Sequence, residues 1–171
     1  MSYYPHQFEG PLERFGVGKA RKIWYNVLFL PAELKSTLPF HRYPRLRVEG
    51  ELADIPVENA FMPTGDGRYY LIVAPPVIKG ADLALGDIVE MRFRIADQDR
   101  VDVPPALQNA LAADADLTEK WEALTPGKKR MLCQHVLSAK TEKTTAKRVA
   151  EASEALRDFK ADLKAWRNAK R

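Results

Sequence analysis

The spacing of apolar residues changes once along this chain. Up to about residue 100 they come in short blocks that favour a period of two, and beyond that they recur every three or four positions. The clearest early block, Ile23-Trp24-Tyr25-Asn26-Val27-Leu28-Phe29-Leu30, is aromatic and β-branched and predicts a well-buried strand. Pro31 stands where a helix can begin, because its missing N–H would be unpaired there anyway. Residues 31–38 are expected to make a helix of about two turns, with Pro39 and Pro44 bracketing a loop. Residues 45–52 set Leu46, Val48 and Gly50 against Arg45, Arg47, Glu49 and Glu51, the pattern of a strand with one wet face. After a turn at Ala53-Asp54, residues 55–62 return as a strand. Thr64-Gly65-Asp66-Gly67 forms a tight hairpin loop whose glycines permit positive φ. Residues 68–73 form the next strand, a second short helix starts at Pro75, and residues 88–95 alternate as the last. With Phe8, Leu12 and Phe15 assigned to a first strand, six short strands predict a small closed or nearly closed barrel.

Part of this pattern occurs twice. Leu30-Pro31-Ala32-Glu33-Leu34 leads into Arg45-Leu46-Arg47-Val48-Glu49, and 43 positions later Val73-Ala74-Pro75-Pro76-Val77 leads into Ile88-Val89-Glu90-Met91-Arg92. The echo predicts two half-barrels on one chain, related by a pseudo-twofold.

The second texture is helical. Val101-Asp102-Val103 is read as a last short strand before Pro104-Pro105. Helices are expected from about Pro105 to Ala113 and from about Asp116 to Leu124. A third begins after the Thr125-Pro126 cap, runs to about Ala139, and has Met131, Leu132, Val136 and Ala139 as its apolar face. Thr141 caps a fourth that reaches about Trp166, with Val149, Ala152, Leu156, Phe159, Leu163 and Trp166 on one stripe. That stripe is read as packing within the chain, with a dimer or partner helix as the alternative. The expected fold class is α+β: a six-stranded barrel in residues 1–103, then a bundle of about four helices in residues 104–171.

A hydrophobic fraction of 46% supports a core. The longest apolar run, Val27 to Leu30, is far too short to cross a bilayer, and the first residues lack the basic and apolar regions of a signal peptide. Cys133 is the sole cysteine, which removes intramolecular disulfides and cysteine zinc clusters. A cytoplasmic location is therefore expected. The net charge of +4 is divided unevenly: 13 Lys/Arg against 14 Asp/Glu up to Val103, then 14 against 9. The basic second half admits nucleic acid or another anionic partner, although helical bundles are commonly solvated by lysine and arginine.

The residues carry no catalytic signature. His6, His41 and His135 show no metal-ligand spacing, and Cys133 and His135 are two apart on a helix, so their side chains diverge. Gly16-Val17-Gly18-Lys19 lacks the spacing of a phosphate loop and reads as a hairpin loop, and Asp97, Asp99 and Asp102 lack the glycine and distal glutamate of a calcium loop. No cofactor or metal is expected. Binding candidates are clearer. Arg68, at the base of the tight loop, either pairs with a barrel carboxylate or offers its guanidinium to an anion. Lys128, Lys129 and Arg130 open the third helix. Lys140, Lys143, Lys147 and Arg148 open the fourth, with 140, 143 and 147 on one face. Cations at helix N-termini oppose the macrodipole, so this arrangement points to a bound anion or to a solubilising rim.

The C-terminal part resembles the bacteriocin-protection, YdeI/OmpD-associated family through Val103-Pro104, Leu107, Ala110-Leu111, Trp121, Leu124, Pro126, Ala139-Lys140, Thr144, Lys147-Arg148 and Leu156. The part before it resembles the domain of unknown function often fused to that family. The marks there are Leu30-Pro31-Ala32-Glu33-Leu34, Val48-Glu49-Gly50 and Met62-Pro63-Thr64-Gly65-Asp66-Gly67-Arg68. The chain departs from the family pattern at Thr145, where an arginine is usual, and at Tyr43-Pro44, where Gly-Asp is usual. The resemblance implies a double-split β-barrel similar to the AbrB/MazE swapped-hairpin fold, and a role in stress or antimicrobial-peptide protection. The resulting expectation is a non-enzymatic protein, monomeric or weakly dimeric, that binds a protein or a small anionic ligand. The alternatives are nucleic-acid binding through the basic helices and an enzyme with an unrecognised site.

Overall fold

The computed structural model describes residues 3–170. The chain divides into two compact units between Gln98 and Asp99.

The first unit is an antiparallel sheet with two short helices: β1 (His6–Pro11), β2 (Glu13–Val17), β3 (Ile23–Phe29), α1 (Ala32–Lys35), β4 (Leu46–Leu52), β5 (Ile55–Pro63), β6 (Tyr69–Ile72), α2 (Pro75–Gly80) and β7 (Ile88–Ile95). There are seven strands rather than the expected six, in the order β1-β7-β4-β5-β6-β3-β2. The extra strand arises at Leu12, where the expected first strand changes partner. Residues before it pair with β7 and residues after it pair with β3. The buried Leu12 donates its N–H to the Asp87 carbonyl at 2.8 Å and accepts from the Gly86 N–H at 2.8 Å. The two outer strands of the sheet are thus one stretch of chain, and the sheet curls on itself. β5 makes the same exchange, pairing with β4 as far as Phe61 and with β6 at Met62 and Pro63.

The alternation in β4 is as expected, with Leu46, Val48, Gly50 and Leu52 buried and the charged residues between them half-exposed. They meet Phe8, Phe40, Phe61 and Phe93 in the core, with the Phe61 and Phe93 rings 5.3 Å apart. Gly50 must lack a side chain, since a Cβ there would stand 1.9 Å from the Arg92 carbonyl oxygen of β7. On the other face of β4 and β7 the carboxylates are spent on ion pairs. Glu49 holds Arg94 at 2.6 Å, and Arg92 meets Glu51 at 2.9 Å, Glu90 at 3.1 Å and Asp54. The helix expected over residues 31–38 is only one turn long, and α2 starts at Pro75 as expected.

The second unit holds five helices, α3 (Pro105–Ala112), α4 (Ala115–Glu122), α5 (Pro126–Leu137), α6 (Glu142–Arg157) and α7 (Leu163–Ala169). Thr125 and Thr141 cap α5 and α6 as read from the sequence, accepting from the Lys128 and Thr144 N–H groups. Two expectations fail. Val101-Asp102-Val103 forms no strand; Val101 and Val103 pack against the helical core, and Pro104 follows at once. The fourth helix stops at Arg157, because Lys160 and Ala161 adopt left-handed φ of 47° and 59°. The Ala161 N–H turns back to the Ala155 carbonyl at 2.8 Å, and Asp162 starts α7 by accepting from the Ala165 N–H at 3.0 Å. The predicted stripe still closes the core, with Ala152, Leu156, Leu163 and Trp166 buried and Val149 and Phe159 packed beside them, but it does so across a chain reversal. On α5, Leu132, Cys133 and Val136 face inward, while Met131 is 40% exposed. Burial pushes the Cys133 thiol above its usual pKa, which keeps it protonated.

Candidate functional site

That reversal makes a concavity in the helical unit. Lys128 and Met131 lie three apart on one face of α5. The reversal brings Lys160, Ala161 and Asp162 opposite them, and α7 adds Leu163, Lys164, Arg167 and Asn168. Together they line an open groove of about 680 Å³, within the range of sites that hold small ligands or side chains of a partner. Met131 supplies most of the exposed apolar surface, with the buried Ala161 and Leu163 beneath it. Around it stand four cationic side chains, Lys128, Lys160, Lys164 and Arg167, against one carboxylate, Asp162, which is occupied in capping α7.

Among the described residues none of those four cations makes an ion pair. Several other basic side chains of the unit are matched, whereas among the described residues the exposed Lys140, Lys143 and Lys147 also make no ion pair. Lys120 pairs with Asp116 at 3.0 Å, Lys129 with Glu122 at 3.6 Å, Arg157 with Asp114 at 2.6 Å and Lys170 with Glu154 at 2.7 Å. The Arg157 side chain and the N–H groups that Asp114 caps hold its carboxyl below the usual range. Lys170 does the same for Glu154. Four unmatched like charges around one groove repel one another, and an anion seated among them would relieve that repulsion.

One turn beyond Met131 on α5, His135 joins a second cluster. Its Nε2 lies 2.6 Å from Glu151 Oε2, and Arg148 approaches the same oxygen at 3.6 Å. The imidazole stands edge-on to Trp166, with centroids 5.1 Å apart. The side chains of His135 and Glu151 are only 21% and 17% exposed. The cluster therefore ties α5, α6 and α7 together.

The residues expected from the sequence do not converge. Arg68 is engaged by Asp66 of its own loop, with Nη2 to Oδ2 at 3.1 Å, and its guanidinium lies 4.7 Å from the centre of the Phe29 ring. The Arg68 and Thr64 side chains hold the Asp66 carboxyl well below the usual carboxylate range. Lys128, Lys129 and Arg130 go three ways: Lys128 into the groove, Lys129 onto Trp121 and Glu122, and Arg130 to the Arg100 carbonyl at 3.2 Å. Arg148 belongs to the His135 cluster. Lys140, Lys143 and Lys147 are exposed and do not line the groove. Thr145, at the family's usual arginine position, donates its hydroxyl to the Thr141 carbonyl at 2.9 Å, inside the first turn of α6. Lys160, Lys164 and Arg167 were not singled out from the sequence, because a continuous fourth helix would spread them over its solvated face. The signal that could have found them is Asp162 before Leu163, a cap residue inside an apparent helix.

Residues 8–93 match the family model described as a domain of unknown function, DUF1905, and residues 100–170 match the one described as bacteriocin-protection, YdeI or OmpD-associated. No curated protein and no solved structure matches the chain.

Proposed function

We propose, for a chain that belongs to the DUF1905 family and carries the bacteriocin-protection, YdeI or OmpD-associated domain after it in sequence, that it works by non-enzymatic binding, taking an acidic segment of a partner protein into the groove between α5 and α7. The carrying observation is that Lys128, Lys160, Lys164 and Arg167, none of them ion-paired among the described residues, surround the exposed Met131. A small inorganic anion would use the charges and leave the exposed Met131 uncovered, whereas a peptide with acidic and apolar side chains uses both. If protection of the kind the family is named for is its role, capture of a cationic peptide in this groove is disfavoured by like charge. The group best arranged for acid–base chemistry, His135 with Glu151, is instead braced by Arg148 and Trp166.

Isothermal titration with a synthetic peptide of glutamate and leucine tests the reading. Replacing Lys164 and Arg167 by glutamine is expected to weaken binding by about threefold to thirtyfold, the worth of two exposed ion pairs. Replacing Lys140, Lys143 and Lys147 is expected to leave it unchanged. Tight binding of inorganic phosphate alone would favour a small-ligand site, and loss confined to the second set would move the interaction to the start of α6. The reading includes a cytoplasmic location, supported by the single buried cysteine, and a monomeric or weakly dimeric state. Among the described residues no helix is long and apolar enough to cross a membrane.

The sheet unit is read as a double-split barrel with an internal pseudo-twofold. Two registers support this. β3 pairs with β6 antiparallel with Leu28 opposite Leu71, and β4 pairs with β7 antiparallel with Gly50 opposite Phe93. Both pairs are 43 residues apart, the same interval as the sequence echo. A twofold places equivalent residues opposite each other at its axis, so one interval serving both pairings is what such a duplication would produce. A barrel with both halves on one chain does not need a second copy to complete it, which supports the monomeric state.

A further inference from the structure

The hairpin of β2 and β3 carries a second, independent concentration of positive charge. Arg14 lies on β2, Lys19, Arg21 and Lys22 lie in the connecting turn, and Glu13 is the only carboxylate residue of the segment. Among the described residues none of the four cations makes an ion pair. The near-zero balance of the first hundred residues hides this, because the balancing carboxylates lie elsewhere in that unit, among them Glu49, Glu51 and Glu90 on β4 and β7, which pair with Arg92 and Arg94.

In the middle of these cations lies an indole. Trp24 is 53% exposed, whereas Trp121 and Trp166 are buried in the helical core. It stands opposite Gly16 in the β2–β3 register, and a Cβ at Gly16 would be 3.1 Å from its ring. The missing side chain lets the indole lie across the neighbouring strand. Arg14 and Lys22 lie over the ring as cation–π partners, with their charged groups 5.6 and 5.8 Å from its centre, so a stacking base displaces a cation toward its own phosphates. The arrangement is a half-exposed indole against Gly16 with two cations over it.

We propose that this hairpin binds single-stranded nucleic acid, with a base stacked against Trp24 and the neighbouring phosphates held by Arg14, Lys19, Arg21 and Lys22. Stacking accepts any base, because each has a π-face, and phosphate contacts track the backbone without reading sequence. Duplex nucleic acid fits less well, since its base faces are already stacked on one another. A membrane surface would also use the exposed Ile23 and Trp24, and binding to anionic vesicles is the outcome that separates it from nucleic acid. An acidic peptide would meet the cations but leaves the indole without a partner.

The test is fluorescence anisotropy of a short labelled oligothymidylate at low salt, with the full chain. Wild-type protein is expected to bind, with log affinity falling as log salt rises by about 0.7 per phosphate contacted. Trp24→Ala is expected to weaken binding by about tenfold or more, and Trp24→Phe by less. Arg14→Gln with Lys22→Gln is expected to lower the salt slope by about 1.4, two contacts' worth. Thermal melts of each variant separate a binding defect from unfolding, because a purely structural role for the ring over Gly16 would lower the melting temperature and spare the affinity of the folded fraction. Lys164→Gln with Arg167→Gln, in the helical groove, is expected to leave oligonucleotide binding intact. The proposal is overturned by absence of binding at low salt, by equal affinity for a duplex, by full affinity in folded Trp24→Ala, by loss of binding in the groove variant, or by binding to anionic vesicles without binding to the oligonucleotide.

Discussion

Gly50 shows how closely single residues control this fold. Its Cβ position is filled by the backbone of β7, not by a flexible side chain. Gly50→Ala is therefore expected to lower stability by about 3 kcal/mol, the upper end of overpacking costs, as read in a denaturant melt. Ala53 shows the opposite case. With Asp54 it forms the turn between β4 and β5 at φ of 50° and 63°, a conformation that favours glycine or asparagine. Ala53→Gly should raise stability by about 1 kcal/mol through relief of that strain. The depressed carboxyls predict a pH dependence. Asp114, held below its usual pKa by Arg157, contributes stability that is present above about pH 4, its unfolded value, and is lost as pH falls through the lower folded value. Arg157→Gln should flatten that acid limb of the melting curve. At this scale the sequence was partly legible: the alternation in β4 and the threonine caps could be read directly, because each depends on local spacing. The pairing of Arg68 with Asp66 of its own loop was not read, since the options weighed were a barrel carboxylate and an external anion, and an arginine beside a tight loop looks the same with or without a local partner.

The elements were legible where periodicity alone decides them, and misread where a partner decides them. A single strand from Phe8 to Phe15 is a fair reading of its apolar residues, but the change of partner at Leu12 depends on β7 and β3, which are distant in sequence. The break after Arg157 escaped for a related reason. Val149, Ala152, Leu156, Phe159, Leu163 and Trp166 keep helical spacing across it, and the left-handed residues are a lysine and an alanine rather than glycine. This element carries its own prediction. Lys160→Gly should stabilise the helical unit by about 1 kcal/mol, since glycine adopts that φ without steric cost, and should also weaken anion binding by removing one of the four cations. A change in melting temperature and a change in affinity of opposite benefit, measured on one variant, would tie the reversal to the groove.

For the whole molecule, charge summed over each half was a poor guide. The total of −1 for the first half concealed a cationic hairpin, and the excess of +5 in the second did not mark where it gathers. What decides the functional reading is which cations lack partners, and only three-dimensional placement reveals that. Asp162 offers a further check on the groove. Asp162→Asn should keep the α7 cap, because asparagine caps as well as aspartate, while removing the groove's one negative charge, so affinity for an acidic peptide is expected to rise. The most direct measurement of the central claim is an amide chemical-shift map of the labelled protein titrated with the glutamate–leucine peptide. Saturable shifts concentrated at Lys128, Met131 and residues 160–168, diminishing with salt, are expected. Shifts confined to residues 140–148, or no saturable shifts at low salt, would contradict that claim.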